Sequence, residues 1–148
     1  MHCEETAEYA VDTFPVSASK QRNFFGIKVH MLVDAKKEAF IEIVFTPGSE
    51  NDMRVFKRFS LDIPENSKIY GDRAYNNDDF EDFLSEHAEI DLIAQRRRHS
   101  KRPLLAELKY LQARMRKRIE TALSQITGLF PKSIRAVTSK GFEIKVMP

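Results

Sequence analysis

The chain has 148 residues, 42% hydrophobic and 10% aromatic, which is enough for one sizeable core and short for two domains. Its single cysteine, Cys3, excludes an internal disulfide, and no charged-then-apolar leader or run of about 18 apolar residues is present, so the expectation is a cytoplasmic protein with no membrane contact. With 24 Lys+Arg against 22 Asp+Glu, the net charge of +2 does not by itself argue for a polyanionic partner, and the distribution of charge must carry that argument.

Tyr9, Val11, Thr13 and Phe14 surround Asp12 with β-branched and aromatic residues, predicting a short strand that stops at Pro15. From Phe24 to Val33 the apolar residues Phe25, Ile27, Val29, Met31 and Val33 alternate, placing Lys28 and His30 on the opposite face. A polar turn at 34–37 leads to a second alternating run, Ile41, Ile43 and Phe45, which ends at Pro47-Gly48. These three segments read as an antiparallel meander.

Ser49 and Asp52 resemble a capping box, and Met53, Phe56 and Phe59 predict a short helix over 50–59. The next strand is expected over Lys68 to Ala74. A helix then starts at Asn76-Asn77, with Phe80, Phe83, Leu84 and His87 on one stripe, and Ile90 to Ala94 give a fifth strand. Pro103 suits a first helical turn. Leu104, Leu108, Leu111, Met115, Ile119, Ala122, Ile126 and Leu129 follow in steps of three and four, until Gly128 and Pro131 stop the helix. A terminal strand or packing arm is expected within 134–146. The order β-β-β-α-β-α-β-α points to an α/β or mixed α+β layer structure, one domain over 1–148.

Charge is unevenly spread. Residues 77–91 are acid-rich, whereas Arg96, Arg97, Arg98, Lys101 and Arg102 put five cations into seven positions, a pattern suited to phosphate contacts that position DNA without reading its sequence. Lys28 is a further candidate for such contact. Asp12 and Asp72 on predicted strands and Glu120 on the long helix offer only hard oxygen donors, the ligands taken by Mg²⁺ or Mn²⁺, ions that often act in pairs on phosphodiesters. Plainer readings exist for each residue. Glu120 has Arg116 and Lys117 one turn before it for a surface ion pair, Asp72 beside Gly71 suits a strand-end turn, and Asp12 suits pairing with a buried arginine. His30 reads more readily as a bonded structural histidine than as a ligand, and His99 as a solvated one. His2 and Cys3 lack identifiable metal-binding partners. Arg73 is expected in a structural salt bridge on the far strand face, while Ser124 and Thr127 share the side of Glu120.

The segments Val11-Asp12-Thr13-Phe14-Pro15, Phe25-Gly26-Ile27-Lys28-Val29-His30, Phe45-Thr46-Pro47-Gly48-Ser49, Gly71-Asp72-Arg73-Ala74-Tyr75 and Arg118-Ile119-Glu120-Thr121-Ala122-Leu123-Ser124-Gln125 occur in an order that resembles the catalytic core of DDE-type insertion-sequence transposases. The resemblance spans nearly the whole chain. It implies a ribonuclease-H-like fold with a five-stranded mixed sheet and flanking helices. It also implies metal-dependent DNA cleavage and strand transfer, with Asp72 bridging two Mg²⁺ or Mn²⁺ ions and Asp12 and Glu120 completing the separate sites. The implied partners are DNA, both transposon ends and target, and a second copy of the chain or a full-length transposase.

Three features depart from the family pattern. The chain begins about ten residues before Asp12, where relatives carry a DNA-binding region. The link from Pro15 to Phe24 is short, and Thr127 stands where a basic residue often follows the glutamate by seven. The expectation is a truncated copy without its own end-recognition domain. An inactive DNA-binding or transposase-binding regulator and a stand-alone metal-dependent nuclease are the alternatives.

Overall fold

The computed structural model describes the backbone of residues 8–15 and 27–127 and the side chains of residues 28–124. Its elements are β1 (Glu8–Pro15), β2 (Ile27–Asp34), β3 (Ala39–Pro47), α1 (Asp52–Phe56), β4 (Lys68–Gly71), a 3-10 turn (Arg73–Tyr75), α2 (Asp78–Ala88), β5 (Asp91–Ala94) and α3 (Ala106–Thr127). The expected helix stop at Gly128 and Pro131, the expected arm within 134–146, and His2 and Cys3 lie outside the described residues. Among the described residues, no helix is long and apolar enough to cross a membrane.

The fold is a mixed α/β layer structure whose sheet runs in the order β3-β2-β1-β4-β5. β1, β2 and β3 pair antiparallel. β1 and β4, and then β4 and β5, pair parallel. The β2–β3 reversal is made by Asp34, whose Oδ1 accepts the amides of Lys36 at 2.8 Å and Lys37 at 3.0 Å, a side-chain turn that needs no glycine.

A core lies on each face of the sheet, and the period-two alternation of the strands decides which residue serves which core. Leu32, Ile69, Leu92 and Ala94 face Val55, Phe56, Phe59 and Leu84 from the α1 and α2 side. Val29, Met31, Val33, Tyr70 and Ile93 face Met115, Ile119, Ala122 and Leu123 of α3. Ile41, Ile43 and Phe45, the alternating run expected as the third segment of the meander, are 41–46% exposed. Their partners in β2 include Met31 and Val29, so they lie on the α3 side, but α3 passes over β1 and β4 and leaves edge strand β3 uncovered.

Local chemistry corrects several boundaries. α1 is capped by Asn51, whose Oδ1 accepts Arg54 N at 3.1 Å, rather than by Ser49, and it ends at Phe56. β4 ends at Gly71, three residues before the expected boundary, because Asp72 caps the following 3-10 turn. Arg73 therefore sits exposed on that turn and not on a strand. α2 begins after Asn77 as expected, with Asn77 Oδ1 accepting Phe80 N at 2.9 Å. Its stripe is only partly internal: Leu84 is buried, while Phe83 is 49% exposed and stacks on His87 at 4.6 Å. Pro103 precedes α3 by three residues instead of opening it.

α2 closes through Glu89, held at φ 51°, ψ 38°, with its amide on Leu84 O. Left-handed backbone costs a residue with a Cβ about 1–2 kcal/mol, which glycine avoids at some cost in chain entropy. Glu89→Gly is therefore expected to raise stability by about 0.5–1 kcal/mol in urea titration, and an unchanged or lower midpoint would contradict this.

Candidate active site

Each predicted acid sits at a position defined by the fold. In the parallel pairing of β1 with β4, Val11 lies opposite Gly71, and the residue that follows each of them is an acid: Asp12 and Asp72. The two positions come from adjacent strands, at the end where β4 stops. Here the backbone alone brings together two carboxylate-bearing positions far apart in sequence.

Asp72 is exposed, and its Oδ1 accepts the amide of Ala74 at 2.7 Å. The carboxylate thus both shapes the turn and lines a cleft of about 560 Å³ between the ends of β4 and β5 and the flank of α3. The cleft is also lined by Gln112, Ala113, Arg116 and Ile119 of α3 and by Arg96, Arg97 and Arg98 after β5. Gln112 donates to Gly71 O at 2.7 Å and fastens the helix to the strand end immediately before Asp72. The sequence reading missed Gln112 and Arg116 as site residues, although both precede Glu120 on one helical line, at steps of four.

Glu120 does not itself line the cleft. Its Oε1 accepts Arg116 Nε at 3.1 Å, and Arg116 does line it, so the glutamate sits one helical turn along the same wall. Both side chains are more than half exposed, and an i,i+4 pair of this kind is worth about 0.3–0.5 kcal/mol. So weak a contact leaves the carboxylate free to exchange Arg116 for a stronger partner. Ser124, expected nearby, is exposed and donates to Thr121 O at 2.7 Å, while the side chain of Thr127 lies outside the described residues.

The residues matched by the family model described as "Transposase DDE domain" are 4–147, nearly the entire chain. The chain belongs to that family. No curated protein matches it. Transposases act on DNA, which makes DNA the partner of this transposase domain, and the family generally works with divalent metal ions.

Among the described side chains, which leave out Asp12, no three His, Cys, Asp or Glu residues are grouped to hold an ion. The donor chemistry nevertheless fits a hard divalent cation. The Asp72 carboxylate has one oxygen engaged by an amide and lines the cleft, and among the described residues Glu120 is held by an exchangeable surface pair.

The basic block of the transposase domain divides sharply. Arg97, Arg98 and Lys101 are exposed. Arg102 is committed to Asp82, forking onto its two oxygens at 2.7 and 2.9 Å, which lowers the Asp82 carboxyl below its ordinary range. Arg96, expected as a solvated phosphate contact, has its guanidinium turned to Asn76, Asp78 and the buried Glu81. The acid-rich stretch before β5 is what claims these two arginines. Lys28, another expected DNA contact, is likewise engaged, with Nζ 3.0 Å from Asp52 and 2.9 Å from Glu50 O.

His30 is a structural histidine, buried beside Lys28, with Nε2 2.7 Å from Thr46 Oγ1. Burial lowers its pKa, assisted by Lys28 and opposed by Asp52 and Glu50. The unfolded chain then holds more protons than the folded one below the ordinary value of 6.5, so stability is complete above that pH and is lost as pH falls from it. Urea midpoints are expected to start declining near pH 6.5. His30→Gln should flatten that first part of the decline, and an identical profile in the variant would remove His30 as its source.

Proposed function

We propose that this is the catalytic domain of a DDE transposase with a ribonuclease-H-like core, and that Asp12, Asp72 and Glu120 together hold two divalent ions for DNA phosphodiester cleavage and strand transfer. The observation that carries the reading is the β1–β4 register, in which Asp12 and Asp72 each follow a paired residue at one end of the sheet. The cleft lined by Asp72, Arg116, Arg97 and Arg98 supports it.

In this reading the bound ions would activate a water or a 3′-hydroxyl and neutralise charge on the phosphate. The chain's own residues do the rest. Asp72 stays fixed because its turn is capped through Ala74 N and its strand end is held by Gln112. Arg97, Arg98 and Lys101 take the DNA backbone, because they are the members of the block that α2 has not neutralised. Arg116 serves as counter-ion to Glu120, whose carboxylate would be available to hold an ion.

The test is cleavage of supercoiled plasmid. Slow nicking with little sequence preference is expected in Mn²⁺ and less in Mg²⁺, because Mg²⁺ demands near-ideal octahedral geometry. Asp12→Asn and Glu120→Gln should each remove it without removing DNA binding, because a set of ligands fails as a unit. A folded protein that binds DNA and nicks in neither metal would replace this reading with that of a DNA-binding regulator.

A further inference from the structure

Resting on the interface reading just given, we propose that Arg96 is a positioning residue: it staples the turn bearing Asp72 to the loop bearing Arg97 and Arg98, and so sets the phosphate-binding arginines against the acidic end of the cleft. The β4 and β5 strands end side by side, and each runs into one wall of the cleft. Their extensions are joined first through backbone, Gln95 N to Gly71 O at 3.0 Å. One residue further on, the joint passes to a side chain. Arg96 Nη1 donates to Asn76 Oδ1 at 2.8 Å, where the Asp72 turn ends, to Asp78 Oδ1 at 3.2 Å and to Glu81 Oε1 at 2.9 Å, while Nη2 donates to Glu81 Oε2.

A guanidinium is suited to this because its donors are held in one rigid plane and meet several acceptors at once. The Arg96 side chain is only 10% exposed and that of Glu81 8%. A phosphate approaching Arg96 would have to displace carboxylates and then remain beside them, whereas the adjacent Arg97 and Arg98 are exposed. Arg96 therefore acts through its neighbours.

The experiment uses the full chain and a labelled DNA duplex, comparing wild type, Arg96→Lys, Arg97→Ala/Arg98→Ala and the triple variant. Lysine keeps the charge and loses the fork. Hydrogen exchange should speed up about tenfold over residues 72–77 and 96–100 in Arg96→Lys, with β2 and α3 unchanged. In the wild-type background, removing Arg97 and Arg98 should lower the log–log salt slope of DNA binding by about 1.8, at about 0.9 per phosphate contact. In the Arg96→Lys background the same removal should change the slope little, the non-additivity expected of residues that work together. Unchanged exchange in Arg96→Lys, or equal slope losses in the two backgrounds, overturns the staple while leaving the interface intact. No loss of slope in the wild-type background overturns the interface and the staple with it. Should Arg96→Lys not fold, Glu81→Gln decides: removing a negative charge strengthens DNA binding on charge alone, so weaker binding supports the staple and stronger binding overturns it.

Discussion

Asp72→Asn is expected to abolish metal-dependent nicking, a loss of about a thousandfold or more, while the protein stays folded and still binds DNA. Asparagine is the informative replacement because it separates the two tasks of the residue. Its side-chain oxygen can accept from Ala74 N as the aspartate does at 2.7 Å, and Asn and Asp are equally good caps, so the 3-10 turn should survive. What disappears is the negative charge that a hard cation needs. A second readout follows by linkage: Mn²⁺ should raise the melting temperature of the native protein and not of Asp72→Asn, since an ion that binds only the folded state stabilises it by mass action. Nicking that persists in the variant, or an equal Mn²⁺ shift in both proteins, would take Asp72 out of the metal site.

Phe56→Ala should have the largest effect on stability. Phe56 is 1% exposed at the last residue of α1 and makes edge-on contacts with Phe59, Tyr75 and Phe80, at centroid distances of 5.6, 5.4 and 5.9 Å. Truncating a buried phenylalanine typically costs about 3–5 kcal/mol, against a total of about 5–15 for a domain. The expected result is a urea midpoint lowered by about a third or more. Because Tyr75 ends the turn that Asp72 begins, the same change should loosen Asp72, giving a second effect on nicking at temperatures where the variant is still folded. A stability loss below about 1 kcal/mol would mean that the pocket collapses around the missing ring.

The local physics of this chain is legible in its sequence. Alternation in Val29, Met31 and Val33 marks β2, and the steps of three and four from Leu108 to Ala122 mark α3, because burial on one face imposes those periods. Asp72 and Glu120 stood out because charged residues at a strand end and beside an apolar stripe interrupt that pattern. Long-range pairing was not legible. Nothing around Asp12 states that β1 lies parallel to β4, and so nothing local states that Asp12 and Asp72 share an end of the sheet. The acidic stretch of α2 reads as a solvated face, yet Glu81 within it is buried, because its partner Arg96 arrives from beyond β5. For the same reason a count of positive charges overstates what the block can offer a polyanion, since two of its five cations already have carboxylate partners. Ile41, Ile43 and Phe45 have the pattern of a buried strand, but the helix that would cover them passes elsewhere.

The placement of α3 also fixes when the site can exist. One wall of the cleft is the strand end at Asp72, and the other is a helix that begins at Ala106. At roughly 5–20 residues per second, synthesis of the roughly one hundred residues from β1 to the middle of α3 takes about 5–20 s. For that interval the meander can form from neighbouring segments, but Met31, Tyr70 and Ile93 have no helix to cover them. The emerging polypeptide is thus sticky before it has a cleft, and a ribosome-bound chain lacks the wall that faces Asp72 until its closing helix has been made.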